Sequence, residues 1–339
     1  MRIAINGFGR IGRSFFRQAF NNSEIEIVAI NDLGDLADLA YLLRRDTVYG
    51  EYEKQVEVRK NQLIVDNRNI FVFSEKDPAK LPWKDLNIDI VVESTGIFNT
   101  SQKAKAHLDA GAKRVVITAP ADADTPHVLA GSNNDKLTRE LSRITSDASC
   151  TTNAVVPVLN ILQENPGVRK AMLNTTHAYT ATQSLVDGPA QGGQASKDFL
   201  RGRAAAQNIV PSHTGAADAV IRSQPWLKDI FEAVAVRVPV IVGSLADLTF
   251  IAGRRTTAEE INDILRKAAK QPKWQGIFTV SEEPLVSSDI IKNSHSSIAD
   301  LTHTKVVGGD MVKVMAWYDN EWGYCGSLIK HILNLKQLL

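Results

Sequence analysis

The chain has 339 residues, 44% of them hydrophobic and 23% charged, a balance that excludes disordered, collagen-like and charge-dominated classes. At roughly 150 residues per domain, this length implies two domains. Lys and Arg total 39 against 38 Asp and Glu, a formal charge of +1, so no sequence-wide positive field draws in nucleic acid or an anionic membrane.

The first ten residues, MRIAINGFGR, lack the continuous apolar stretch and cleavage site of a signal peptide. No apolar run approaches the roughly 20 residues that span a bilayer. Short apolar runs at 3–5, 25–30, 88–92 and 114–117 alternate with helix-like segments at 12–20, 36–43 and 101–108, the pattern of parallel βαβ units. Between about 46 and 81 the chain is more polar, and its runs at 62–65 and 70–73 read as an antiparallel insertion. Val155, Val158, Leu159 and Leu162 then fall at helical spacing until Asn165-Pro166-Gly167 stops them. Pro157 lies early in that helix, where it removes one backbone bond and is placed to kink the second turn.

Strand-like runs at 173–179, 233–242 and 246–251, with helical stretches at 215–222 and 258–270, predict an α+β second domain with a mostly antiparallel sheet. Residues 183–196 contain Gly188-Pro189 and Gly192-Gly193 and read as a long functional loop. Tyr324, Leu328, Ile332 and Leu335 form one helical stripe that must dock. The expected organisation is α/β: a Rossmann domain over 1–149 and 320–339, and a catalytic domain over 150–319.

Gly7-Phe8-Gly9-Arg10-Ile11-Gly12 follows a strand and opens a helix, and Asp32 ends the next strand 20 residues beyond Gly12. The first glycine permits the tight turn, the second lets backbone approach a pyrophosphate, and the third allows close helix packing. Asp32 can accept hydrogen bonds from ribose hydroxyls and repel a 2′-phosphate, which favours NAD over NADP.

Cys150 and Cys325 are the only cysteines. They are too few for a disulfide scaffold, and neither has a partner at zinc-ligand spacing, so no metal is expected and the cytoplasm is the expected compartment. Cys150 falls in the first turn of a helix, where unpaired N–H groups favour a thiolate. The competing reading is a small core residue, but its polar neighbours favour a site. His177 could supply the imidazole that a thiolate nucleophile needs. Thr180, Thr182, Thr214, Gly215 and Arg237 are groups of the kind that bind phosphate, though each alone suits turn chemistry or a surface charge equally well.

Taken with Tyr179-Thr180-Ala181-Thr182-Gln183, Thr214-Gly215-Ala216-Ala217, Arg237-Val238-Pro239 and Trp317-Tyr318-Asp319-Asn320-Glu321, these motifs make the chain resemble the phosphorylating, NAD-dependent glyceraldehyde-3-phosphate dehydrogenases along essentially its whole length. The resemblance implies that Cys150 is the acylated nucleophile and His177 the base. It matches Ser149, Thr151, Thr214 and Gly215 to a site for inorganic phosphate, with Arg201 nearby, and Thr180, Thr182 and Arg237 to the site for the substrate's phosphate. Gly7, Gly9, Arg10, Ile11, Gly12, Asp32, Thr95 and Thr118 line up with cofactor contacts, and Asn320 with the residue that holds the nicotinamide carboxamide.

The implied reaction is oxidation and phosphorylation of glyceraldehyde 3-phosphate in glycolysis or gluconeogenesis, by a homotetramer. Asp147 departs from the family's usual Asn, Ala154 replaces its usual second cysteine, and the loop over 190–196 looks about five residues longer. Erythrose-4-phosphate dehydrogenase is the alternative within the class, and a non-catalytic NAD-binding or interaction protein the alternative outside it.

Overall fold

Strands buried on both faces need not alternate, and Ile3, Ala4 and Ile5, all fully buried, show this at the centre of the first sheet. The computed structural model describes residues 1–190 and 198–339. The expected five-residue extension, together with Gly192-Gly193, falls on 191–197, outside the described residues.

In chain order the first half comprises β1 (Arg2–Asn6), α1 (Arg10–Ala19), β2 (Glu26–Asn31), α2 (Leu36–Arg44), β3 (Val56–Arg59), β4 (Gln62–Val65), β5 (Arg68–Phe73), β6 (Ile90–Glu93), α3 (Ser101–Asp109), β7 (Arg114–Ile117) and β8 (Ile144–Ser146). They form an eight-stranded sheet of order β3-β4-β5-β2-β1-β6-β7-β8. The six strands from β5 to β8 pair in parallel, whereas β3, β4 and β5 form the antiparallel insertion. The direction of winding reverses at β1, and ligands bind beyond the carboxyl ends of the strands at such a switch point.

The second half comprises α4 (Cys150–Glu164), β9 (Val168–Ala178), β10 (Val210–Ser212), α5 (Ala216–Ser223), β11 (Phe231–Val238), β12 (Ser244–Ala252), α6 (Ala258–Ala269), β13 (Phe278–Ser281), β14 (Ser297–Val307), β15 (Met311–Tyr318) and α7 (Trp322–Leu335). Its seven-stranded sheet has the order β10-β11-β9-β12-β15-β14-β13. Two pairings are parallel and four antiparallel. Helix α4 packs against β14, β15, β12 and β9. It runs through Pro157 as one helix of 15 residues, with Ser149 capping it by accepting from Thr152 N–H.

Two compact units result: Met1–Val128, Asp135–Ala148 and Leu328–Leu339 in one, Leu129–Asn134 and Ser149–Ser327 in the other. These differ from the expected 1–149 and 320–339 in two places. Residues 320–327 cluster with the second unit because Asn320 Oδ1 accepts from Gly243 N–H and Ser244 Oγ, and Ser327 Oγ donates to Asn153 Oδ1. The return comes inside α7 at Leu328; Leu328, Ile332 and Leu335 are fully buried, and His331 bonds Asp147 in the first unit. Residues 129–134 join the second unit, where Asn133 Nδ2 donates to Ser223 O. Gly131 has φ +75° and leaves no room for a Cβ, which would meet Lys273 O at 2.5 Å.

Candidate functional site

In the first unit, a cavity of about 500 Å³ opens at the carboxyl ends of β1, β2 and β6, lined among others by Gly7, Gly9, Asp32 and Thr95. Gly7 adopts φ +93°, and a Cβ there would lie 2.7 Å from Thr95 N. A Cβ on Gly12 would lie 2.2 Å from Gly7 O, so the turn closes onto α1 only with glycine at both ends. The N-cap of α1 is Gly9, which has no side chain to cap the helix that begins at Arg10. A Cβ on Gly9 would meet nothing within 4 Å among the described residues. Asp32 accepts from Phe8 N–H at 2.6 Å and Gly34 N–H at 2.8 Å, which fixes its carboxylate beside the glycine turn.

Arg10 instead pairs with Asp46 and lies over the Tyr49 ring. Thr95 donates its N–H and Oγ1–H to Glu93 Oε1, and Thr118 donates both of its groups to Glu93 O. Leu33, Lys76 and Phe98 also line the cavity. Sequence reasoning missed them because they sit just past strand ends and belong to no glycine motif.

In the second unit, Cys150 begins α4 and His177 lies near the end of β9. Cys150 Sγ stands 3.4 Å from His177 Nε2. Ala178 O lies 2.6 Å from His177 Nδ1 and 3.1 Å from Arg237 Nη1, while Nη1 and Nδ1 are 2.8 Å apart. A carbonyl 2.6 Å from a bare ring nitrogen would set lone pair against lone pair. Ala178 O therefore accepts from both Nδ1–H and Nη1–H, and the Nε2 lone pair faces the sulfur. Burial and the Arg237 charge hold the imidazole low, at about 3. Burial also pushes the Cys150 thiol up, against the pull of Arg237 and of the Thr151 N–H and hydroxyl. This makes a neutral thiol–imidazole pair, not the thiolate that the helix end alone would favour. Cys150 remains partly exposed, so a reagent can reach it, whereas Cys325 is buried.

Tyr318 is a site residue that the motif contained but sequence reasoning did not single out. Its hydroxyl bonds Thr151 Oγ1 at 2.9 Å and Thr175 Oγ1 at 2.7 Å, and its ring meets the His177 ring edge-on at 5.9 Å. Burial raises its phenol well above the ordinary value, so it stays protonated.

Thr180 Oγ1 and Thr182 Oγ1 are 3.1 Å apart, and Arg201 donates to Thr182 at 3.1 Å and to His213 O at 3.3 Å. Arg201 thus touches the Thr180–Thr182 pair as well as the backbone next to Thr214, and it pairs with Asp198. Thr214 Oγ1 accepts from Ala216 N–H, and Gly215 is the N-cap of α5. Arg237 is 9% exposed and its Nε has no hydrogen-bond partner among the described residues. Among the described residues it forms no ion pair, the state of a buried cation built to receive an anion.

Asp147 is fully buried and bonds His331 Nδ1 at 3.0 Å, with Thr145 Oγ1 3.2 Å from His331 Nε2. No group of three or more metal-capable side chains occurs among the described residues, and no helix of the described residues is long and apolar enough to cross a membrane. A separate cavity of about 520 Å³ in the second unit, lined by Met172, Phe231, Phe250 and Met311 among others, holds none of the expected site residues.

Comparison with known proteins identifies the family. Residues 1–101 match the family model for the glyceraldehyde 3-phosphate dehydrogenase NAD binding domain, and residues 149–320 match that for its C-terminal domain. A glyceraldehyde-3-phosphate dehydrogenase of Thermotoga maritima is 48% identical over 330 residues, 97% of each chain. Glyceraldehyde-3-phosphate dehydrogenase 1 of Bacillus subtilis is 45% identical over 329 residues, covering 97% of this chain and 96% of its own. With both domains matched and this identity sustained across nearly the full length, the chain belongs to the glyceraldehyde-3-phosphate dehydrogenase family.

Proposed function

We propose that the protein is an NAD-dependent dehydrogenase that converts D-glyceraldehyde 3-phosphate and inorganic phosphate to 1,3-bisphosphoglycerate. The observation that carries this is the thiol of Cys150 at 3.4 Å from an imidazole nitrogen whose lone pair faces it, beside a buried guanidinium that has no counter-ion among the described residues. The first unit's cavity fits a dinucleotide. Gly7 and Gly12 close the turn, Gly9 leaves room for a pyrophosphate at the N-terminus of α1, with Arg10 and Ile11 in its first turn, and Asp32 presents acceptors for a ribose. Thr95 and Thr118 border the same end of the sheet. Asn320, whose Oδ1 is already engaged, would hold the nicotinamide amide through Nδ2.

Cys150 Sγ adds to the aldehyde carbon while His177 Nε2 relays the thiol proton to the aldehyde oxygen, giving a hemithioacetal. Bound NAD supplies the hydride acceptor. His177 then removes the hydroxyl proton as the thioester forms, so that charge is not trapped on the oxygen. The Cys150 N–H, at the head of α4, and the imidazole are the donors for that oxygen. Inorganic phosphate, held by Ser149, Thr151, Thr214 and Gly215, attacks the thioester and expels the Cys150 thiolate. Thr180, Thr182 and Arg237 hold the substrate's own phosphate, and Arg201 spans the two sets.

The same reading makes the protein a cytoplasmic homotetramer, for which the exposed Met172, Val234 and Met311 of the second sheet are support. The test follows NADH absorbance with enzyme, NAD, glyceraldehyde 3-phosphate and phosphate, with NADP and erythrose 4-phosphate as competing arms. Activity that does not depend on phosphate, or faster turnover of erythrose 4-phosphate, would overturn it.

A further inference from the structure

The last residue of β6, Glu93, is 2% exposed and lies beneath the cofactor cavity. Its carboxylate accepts four hydrogen bonds, all from uncharged donors. Oε1 takes Thr95 N–H at 2.9 Å and Thr95 Oγ1–H at 2.5 Å; Oε2 takes Asn6 Nδ2 at 2.5 Å and His107 Nε2 at 2.9 Å.

The His107 tautomer follows from its other nitrogen. Trp83 Nε1, which can only donate, lies 3.0 Å from His107 Nδ1, so Nδ1 accepts and the single ring proton is on Nε2. His107 is therefore neutral and donates to Glu93, and the 3.3 Å approach of Asn6 Nδ2 to Nε2 is a contact between two donors of one oxygen. Four donors satisfy a carboxylate, whereas an amide would turn N–H hydrogens toward donors.

The backbone carbonyl of the same residue accepts both groups of Thr118. Asn6, opposite Glu93 in the β1–β6 register, leads into the glycine turn. Its Oδ1 accepts from Asn31, the residue before Asp32, at 2.7 Å. One residue thus ties together the glycine turn, Thr95, Thr118 and, through Asn31, the neighbour of Asp32.

We propose that Glu93, oriented by His107, is a positioning residue that shapes the cofactor cavity by holding Thr95 and Asn6 in place through its carboxylate and Thr118 through its backbone carbonyl. The proposal rests on the cofactor assignment above and concerns binding alone. Four charge-assisted bonds lock the wall, so an amide at this position leaves two donors facing an NH2 and loosens it.

The test is calorimetric titration of NAD into the full chain and its variants. Glu93→Gln is expected to weaken NAD by about tenfold or more, while iodoacetamide alkylation of Cys150 in the NAD-free protein keeps its wild-type rate. His107→Leu, which fills the volume but removes the donor, is expected to weaken NAD as well. His107→Gln, which keeps an N–H where Nε2 lies, should recover most of the affinity, a rescue that packing alone would not give. If Glu93→Gln does not fold, the His107 pair decides. Wild-type affinity in Glu93→Gln, or His107→Gln no better than His107→Leu, overturns the proposal. Absence of NAD binding by the wild type would overturn the cofactor assignment and this inference with it.

Discussion

The two units each bury a charge, and they treat it in opposite ways. Glu93 in the first unit is an anion whose oxygens are fully engaged by uncharged donors of the protein. Arg237 in the second is a cation that keeps Nε without a partner and gives Nη1 to a carbonyl already shared with His177. A satisfied buried charge fixes structure, whereas one left short of partners stores affinity for a ligand of opposite sign.

The largest expected effect comes from removing the second kind of charge. Arg237→Met is expected to lower kcat/KM for glyceraldehyde 3-phosphate by about a hundredfold, equivalent to a charged hydrogen-bonded contact of roughly 3 kcal/mol. It should not lower thermal stability, because a buried cation is replaced by an apolar chain. A clear loss of Tm would mean that Arg237 is structural, and the contrast with Glu93 would fail. Since Arg237 pulls the Cys150 thiol down, the same variant should move the alkylation profile of Cys150 to higher pH.

A smaller effect is expected from Asp32→Gly. Loss of the ribose acceptors and of the charge facing a 2′-phosphate should narrow the preference for NAD over NADP by about tenfold. Unchanged ratios of kcat/KM would remove Asp32 from the specificity argument. Tyr318→Phe keeps the ring against His177 and loses only two hydroxyl bonds, so kcat should fall about fivefold, near 1 kcal/mol. A drop of several orders of magnitude would show that the hydroxyl acts directly on substrate.

The smallest effect concerns acid stability. Burial and the Arg237 charge hold His177 at about 3 in the folded chain against 6.5 for a free imidazole, so between those values the unfolded chain binds the extra proton. Its contribution to stability is present above 6.5 and lost as pH falls toward 3. His177→Asn should therefore flatten the fall of Tm with acid in that window; an identical slope in both proteins would contradict the low imidazole value.

Much of this was legible in the sequence where local chemistry dictates geometry. The glycine turn, Asp32 and the helix opening at Cys150 are short-range patterns, and the structure has them as read. The second sheet was less legible. β15 alternates cleanly in burial, and Gly308-Gly309 marks its hairpin with β14 by two positive φ angles, but neither strand was singled out. In β14 the register breaks between Asp300 and Lys305, where Thr302 and His303 bond the Asp300 carboxylate, and this irregularity hides the period of two.

Asp147 shows a different limit. The sequence shows it only as a departure near Cys150, whereas in the structure it bonds His331, 184 positions away, a pairing that no local pattern announces. Glu93 escaped notice for the same reason: an acidic residue ending an apolar strand reads as a solvated end until its four donors are seen together.

The most direct measurement is rapid mixing of the protein with NAD and glyceraldehyde 3-phosphate in the absence of inorganic phosphate, followed by mass spectrometry of the Cys150 peptide. The account predicts a burst of NADH stoichiometric with chains, an acyl adduct on Cys150, and its release on adding phosphate. A burst that leaves Cys150 unmodified, or an equal burst from Cys150→Ser, would contradict it.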